Sequence, residues 1–433
     1  MATSAARVHG EADRYQLSHV YPLGSRINER GHLEIGGCDS VELAAQFGTP
    51  AFIVAEEDLR ARARAYREGL AARHHDSDVL FASKAFPCTA VYRLLAQEGL
   101  ACDVASGGEL ALALAGGFDP ARIYLHGNAK SEDELREALA AGVGHVVLDS
   151  TDDIRRLERV AAARASTQEV LLRVTPGIAG DTHAAISTGQ ADSKFGFSMA
   201  QARAAIDLVA ACGHLRLVGL HCHIGSQLLE LEPFTRAVAA LATLGAFEVY
   251  NLGGGLGVAY LDSQQPPSVS AYLGALIDAA RATLPGTPRL LVEPGRSLVA
   301  NSTVTLYTVQ TVKRNISTWV AVDGGMSDNL RPMLYGARYE AALANRMQRT
   351  GAGELCHVAG KHCESGDVIV RDVRLPDPRP GDLVVTPATG AYGHAMANNY
   401  NGVPRPPVIF CARGDARLVV RRETYADLMS RDV

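Results

Sequence analysis

From residue 79 onward the chain alternates short apolar runs with amphipathic stretches in a β-then-α order. Apolar runs bounded by Gly, Pro, Asp or Ser predict strands at 79–85, 101–106, 123–127, 145–150, 169–176, 217–225, 248–255 and 289–295. Between them, helical patterns cover 90–98, 108–115, 131–141 and 152–163. The first four strands begin about 22 residues apart, a βα-unit period. Eight strands alternating with helices over about 220 residues predict an α/β fold built on a (β/α)8 TIM barrel, with an open doubly wound sheet as the competitor.

The flanks read differently. Residues 32–35 form a short predicted strand before Gly36-Gly37, Ser40–Phe47 a brief helix, 51–54 another strand and 56–70 an arginine-rich amphipathic helix. After Ser297 come short strands at 303–312, 319–322, 368–370, 382–386, 408–412 and 418–421, with helical interruptions at 335–346 and 392–399. These predict a β-rich second domain, a barrel or sandwich formed by the N-terminal segment and the C-terminal third. The strands at 32–35 and 51–54 are expected to join it, so that the (β/α)8 barrel is inserted between its two parts. The expected spans are 1–50 and 301–433 for the β domain and 51–300 for the barrel. Residues 1 to about 18 read as a frayed terminus.

A length of 433 residues agrees with more than one domain. Hydrophobic content of 47% with 21% charged residues suits a soluble globular protein, and a net charge of −5 leaves no basic footprint for nucleic acid. No run approaches the ~18 apolar residues of a membrane-spanning helix, and residues 1–15 lack the apolar core of a secretory signal. The eight cysteines are scattered without a Cys-x-x-Cys pair, as suits reduced thiols. A cytoplasmic protein with neither a nucleic-acid nor a membrane partner is expected.

In a barrel the C-terminal strand ends share one mouth. There the sequence places Lys84, Asp103, His126, Asp149, Arg173, His223, Gly253-Gly254-Gly255 and Glu293-Pro294-Gly295-Arg296. A partly desolvated lysine at such a point has a lowered pKa and offers a neutral amine for a Schiff base. The three glycines either bare backbone N–H groups for a phosphate or simply make a tight turn; Arg296 could add a bidentate contact. With the planar ring of His223 and the carboxylate of Glu293, these are the parts that pyridoxal phosphate needs. His221-x-His223 could aim two imidazoles at a metal, but the rim offers only scattered further ligands, and no metal is expected.

In the second domain Asn329-Leu330-Arg331-Pro332 with Tyr335 sets a cation beside a phenol. The run His362-Cys363-Glu364-Ser365-Gly366-Asp367 gathers a thiol, two carboxylates and a hydroxyl, and Tyr392 stands in Gly390-Ala391-Tyr392-Gly393. A thiol between a histidine and a glutamate in such a loop is a candidate acid.

These segments, with Phe81-Ala-Ser-Lys84-Ala-Phe86, Ser193-Lys-Phe-Gly196 and Gly219-Leu-His-Cys-His-Ile-Gly-Ser-Gln227, run nearly end to end. Through them the chain resembles the pyridoxal-phosphate decarboxylases of the alanine racemase-like fold. The resemblance implies that Lys84 carries pyridoxal 5'-phosphate, His223 stacks on it and Glu293 faces its ring nitrogen. It likewise implies a cofactor-binding set of Asp103, Ser226, Gly253, Gly254, Gly255, Gly295, Arg296 and Tyr392. Arg296, Arg331, Tyr335, Glu364 and Tyr392 would grip an amino-acid substrate, and Cys363 would donate a proton from the partner subunit of a homodimer with shared sites. Cys-Glu-Ser-Gly-Asp beside Asn-Leu-Arg-Pro points within the family to diaminopimelate, decarboxylated to lysine and carbon dioxide. The alternatives are a decarboxylase of a related amino acid, free or carrier-bound, and a silent relative that only binds.

Overall fold

The computed structural model describes residues 17–178, 193–347 and 353–433. All but the last two residues of the segment expected to fray lie outside these. Eight parallel strands close on themselves: Ser77–Ala82 (β1), Ala101–Val104 (β2), Ile123–Leu125 (β3), His145–Leu148 (β4), Gln168–Thr175 (β5), Leu215–His221 (β6), Val249–Asn251 (β7) and Arg289–Val292 (β8). Pairing of β8 with β1 and of β4 with β5 completes the ring.

Strand alternation sorts side chains into two layers. Leu80, Ala101, Tyr124, Val147, Leu171, Val218, Val249 and Leu291, one from each strand, pack together inside the barrel. The alternate positions, such as Val79, Phe81, Cys102 and Val104, face the surrounding helices in the main core. Two residues beyond the inner layer the same face carries Asp103, His126, Asp149, Arg173, Asn251 and Glu293. β6 is offset by a bulge between Leu217 and Gly219, which shifts the parity that leads to His221 and His223. Ser106, Ser131 and Ser150 then accept the backbone N–H three residues on and start the helices Gly107–Gly116, Glu132–Ala141 and Thr151–Ala163.

The second domain is built on the strand Thr303–Arg314, which pairs with Ala51–Ala55, Leu383–Thr386 and Thr318–Val322 in turn. Ala51–Ala55 also runs parallel to Val408–Ala412. Residues 51–55 therefore sit in this sheet, and Glu56–Ala71 is the first helix packed on the barrel, through Leu59, Ala63, Tyr66 and Leu70. Leu33–Ile35 belongs to a separate three-stranded sheet with Arg26–Ile27 and Cys38–Asp39; its apolar face shares a core with Ile53, Val304, Leu306 and Ile409.

Three local expectations need correction. The helix near 335–346 is instead Arg331–Tyr335: Pro332 opens it and Gly336, at φ 61°, ends it, despite apolar spacing further on. No α-helix forms over 392–399, because Tyr392 has φ 67° and its N–H donates to the Ala85 carbonyl at 2.9 Å; only the short 3-10 turn His394–Met396 remains. The strand Glu354–Ala359 was not expected, since its alternation runs against hydrophobicity: Leu355 is exposed while Cys356 and Val358 are buried.

Candidate active site

β1 ends at Ala82, and one 3-10 turn, Ser83–Ala85, carries Lys84 to a cavity of about 260 Å³ at the barrel mouth. The Ser83 hydroxyl donates to Glu109 Oε2 at 2.7 Å, and the same oxygen accepts the Ala105 N–H at 2.7 Å, which ties the turn to the next βα loop. Lys84 is exposed rather than partly desolvated, because the turn lifts it clear of the strand to the open side of the cavity.

Glu293 lies on the buried side. Its Oε1 is 2.9 Å from His126 Nε2 and accepts Asn251 Nδ2 at 2.7 Å, while Oε2 is 3.0 Å from His221 Nε2. Burial alone would raise this carboxyl, but His126 and His221 outweigh it and hold the group well below the usual carboxylate range. His221 is itself pushed down to about 4, chiefly by burial. The three side chains bring potential ligand atoms within 4.8 Å of one another. His221 Nε2 and Asn251 Nδ2 are hydrogen-bonded to this carboxylate, whereas His126 Nε2, 2.9 Å from Oε1, has no hydrogen-bond partner among the described residues. His221 and His223 both line the cavity but engage different partners: His221 Nε2 contacts Glu293, while His223 Nδ1 accepts the Gly254 N–H at 3.3 Å. Burial, with Lys84 and Arg173 nearby, pushes His223 well below its ordinary value and leaves a neutral ring.

Asp103 and Arg173 also line the cavity. Burial and the neighbouring Glu293 raise the Asp103 carboxyl, and burial lowers Arg173, which stacks 4.4 Å over Phe195. Asp149 stands behind them and accepts the Gly196 N–H at 2.5 Å. A Cβ on Gly253 would meet the Cys222 carbonyl at 2.2 Å, and one on Gly254 the Glu293 carbonyl at 2.1 Å, so both positions exclude a side chain. Their N–H groups go to Asn251 Oδ1 and His223 Nδ1. Of the three glycines only Gly255 lines the cavity, together with Ser226, Gly295, Arg296 and Tyr392.

Arg296 is buried; Nη2 donates to Ser226 Oγ at 2.8 Å and Nη1 to the Tyr260 hydroxyl at 2.5 Å, and the guanidinium lies 4.9 Å over Tyr392. Arg331, also buried, stacks 4.4 Å over the Tyr260 ring and donates to the Tyr339 hydroxyl. Among the described residues neither arginine pairs with a carboxylate, and the Nε of each has no hydrogen-bond partner. Arg296 lines the cavity and Arg331 lies outside its lining, across the Tyr260 ring; buried cations are ordinarily paired, so two without an acidic partner here suit anionic groups of a ligand. Sequence reasoning missed Asn251, Tyr260 and Tyr339. The inward parity of β7 could have found Asn251; no local signal marks the tyrosines.

The remaining expected residues do not line this cavity. Tyr335 ends the Arg331–Tyr335 helix, half-buried. Cys363 and Glu364 are exposed on their loop, where the Cys363 N–H donates to Asn401 Oδ1 at 2.9 Å. A wider groove of about 700 Å³, between that helix and Val368–Leu375, contains none of the expected site residues.

Residues 56–300 match the pyridoxal-binding domain of the pyridoxal-dependent decarboxylases. The diaminopimelate decarboxylase of Actinosynnema pretiosum is 48% identical, over 96% of this chain and 95% of its own, and that of Bacillus subtilis 43%, over 94% and 97%. The chain belongs to the diaminopimelate decarboxylase family. A solved family member from M. jannaschii, in complex with L-lysine, superposes with a TM-score of 0.88 at 33% identity, covering 94% of this chain and 97% of that one. A lysine/ornithine decarboxylase from Vibrio vulnificus, complexed with putrescine, reaches 0.74 at 25% identity, over 86% and 97%. The family's cofactor fits the donor set that lines the cavity: an amine, a charged carboxylate, a neutral ring, and a guanidinium without an acidic partner near Ser226 and Gly255.

Proposed function

We propose that this chain decarboxylates meso-2,6-diaminopimelate to L-lysine and carbon dioxide, the last step of lysine biosynthesis, with pyridoxal 5'-phosphate as cofactor. The observation that carries the reading is the pair of buried arginines without an acidic partner, one lining the cavity that already holds an amine and a charged carboxylate and the other across Tyr260 from it. Family membership over nearly the whole chain supports it.

Lys84 would hold the cofactor's aldehyde carbon, His223 would face its ring, and Glu293 would keep a proton on the ring nitrogen. Asp103 completes the polar wall behind the ring. Ser226, Gly255, Gly295, Arg296 and Tyr392 would hold the phosphate side, while Gly253 and Gly254 let the loop approach β6 and β8 closely enough to present it. Bound there, the cofactor supplies an electron sink for the carbanion left when carbon dioxide departs. Arg331 and Tyr335, with Arg296 and Tyr392, bind the distal carboxylate, and Glu364 accepts the distal ammonium. Cys363 Sγ delivers a proton to the substrate carbon.

Cys363 and Glu364 are exposed and outside their own chain's cavity, which supports a homodimer whose sites are completed by the partner. No helix among the described residues is long and apolar enough to cross a membrane, and we assign the enzyme to the cytoplasm. Release of carbon dioxide by the cofactor-loaded protein from diaminopimelate, ornithine, arginine and lysine tests the substrate. Turnover confined to diaminopimelate is expected, and equal or better turnover of ornithine would overturn the assignment.

A further inference from the structure

Tyr260 lies in the loop after β7, buried at 5% exposure, and does not line the cavity. Its position is nevertheless fixed from several sides. Its N–H donates to Gln264 Oε1 at 2.8 Å, and its ring meets Tyr339 edge-on at 5.2 Å. The hydroxyl accepts Arg296 Nη1 at 2.5 Å, and the ring face lies under Arg331 at 4.4 Å. One phenol thus sits between two buried guanidinium groups that reach it from different domains, Arg296 after β8 and Arg331 from the Arg331–Tyr335 helix.

We propose that Tyr260 is a positioning residue for substrate selection: it fixes the relative placement of Arg296 and Arg331, so that together they accept the distal carboxylate of a diamino diacid. The proposal rests on the reading of these arginines given above. Two like charges at close range repel, and an aromatic face with an electron-rich oxygen at its edge is a neutral group that attracts both. The partner groups are phenols rather than carboxylates, so the cations are oriented without being neutralised. They keep their charge for a ligand, and Tyr339 does the same for Arg331. Burial would raise the Tyr260 hydroxyl, yet the two guanidinium groups outweigh it and lower it, as expected for a ring that feels both cations. A ligand without the second carboxylate gains nothing from this arrangement.

L-Lysine keeps that carboxylate and cadaverine lacks it, so the two amines isolate its contribution. Their dissociation constants are measured by calorimetry on the cofactor-loaded enzyme, for the wild type and for Tyr260→Phe, which keeps the ring and removes the acceptor. The wild type is expected to prefer lysine. Tyr260→Phe should weaken lysine about tenfold, the scale of one charge-assisted hydrogen bond, and cadaverine less than about twofold. With diaminopimelate the loss should fall on KM more than on kcat. Equal weakening of both ligands, or none, overturns the role of Tyr260. A wild type without preference for lysine overturns the carboxylate reading of the arginines as well, and so separates the two failures. Tyr339→Phe, which removes the hydroxyl that holds Arg331, should show the same selective loss and serves if Tyr260→Phe does not fold.

Discussion

The barrel mouth and the second-domain loops contribute to one candidate site, yet they hold their residues in opposite ways. Asp103, His126, Arg173, Asn251 and Glu293 each stand two residues past the packed inner layer, so strand register sets their places and burial holds them there among one another. Cys363 and Glu364 stand exposed on a loop and do not line the barrel-mouth cavity of their own chain. A site can therefore be rigid in the half that holds a cofactor and incomplete in the half that handles the substrate. In the homodimer proposed above, assembly would decide when chemistry becomes possible.

The harshest test strikes each half separately. Lys84→Ala should lower kcat on the order of 10⁴-fold or more, the scale at which a covalent catalytic group is lost. Near-normal carbon dioxide release from that variant would remove the barrel half from the chemistry. Cys363→Ala should cost about 10²-fold or more, as for a general acid, with cofactor binding unchanged. Mixing the two inactive proteins then tests whether the halves belong to different subunits. Random exchange of subunits would restore at most about a quarter of wild-type activity, because half of the dimers are mixed and each has one intact site. No recovery after demonstrated subunit exchange would place Cys363 in its own chain's site.

The same contrast explains what the sequence made legible. The eight barrel strands and most of the rim followed from short apolar runs recurring in a β-then-α order, since the strand ends they locate share one mouth. Lys84, Asp103, His126, Arg173 and Glu293 were found as strand-end residues, without knowledge of any contact. Tyr260 and Tyr339 were not, because they stand in loops that meet only through tertiary packing. In the second domain Gly336 stopped a helix that apolar spacing prolonged, and the exposed Leu355 disguised a strand. The local pattern marked Cys363 only as a candidate acid; its proposed service to a partner subunit, like the proposed role of Glu364, comes from the resemblance.

A middle-sized effect comes from the charge at the bottom of the mouth. Glu293→Gln keeps the shape but removes the anion that His126, His221 and Asn251 surround. Loss of a preorganised charge of this kind should lower kcat about 10²-fold. Titration with pyridoxal phosphate should also give weaker binding. An unchanged kcat would mean that the carboxylate only supports the barrel.

The smallest effect compares Glu293 with a buried carboxylate of the second domain. Asp328 is 1% exposed; it accepts the Tyr307 hydroxyl at 2.5 Å and the Gly325 N–H at 2.8 Å, with no ion pair to a cation among the described residues. Burial, with Asp367 and Asp323 nearby, outweighs these bonds and pushes it up to about 7, whereas the imidazoles hold Glu293 down. The signs of linkage then differ. Glu293 adds stability above the unfolded value that is lost as pH falls through its folded pKa. Asp328 binds its proton more tightly when folded, so its contribution is complete below about 4 and is lost as pH rises toward 7. Between pH 5 and 8 the wild type should therefore lose about 1–3 kcal/mol relative to Asp328→Asn, whose amide does not titrate. Asparagine leaves one of the two donors poorly matched, so its absolute stability is the wrong quantity to compare; the pH slope is the informative one. Parallel stability curves from denaturant unfolding at the two pH values would show that Asp328 is charged throughout, as Glu293 is in the barrel.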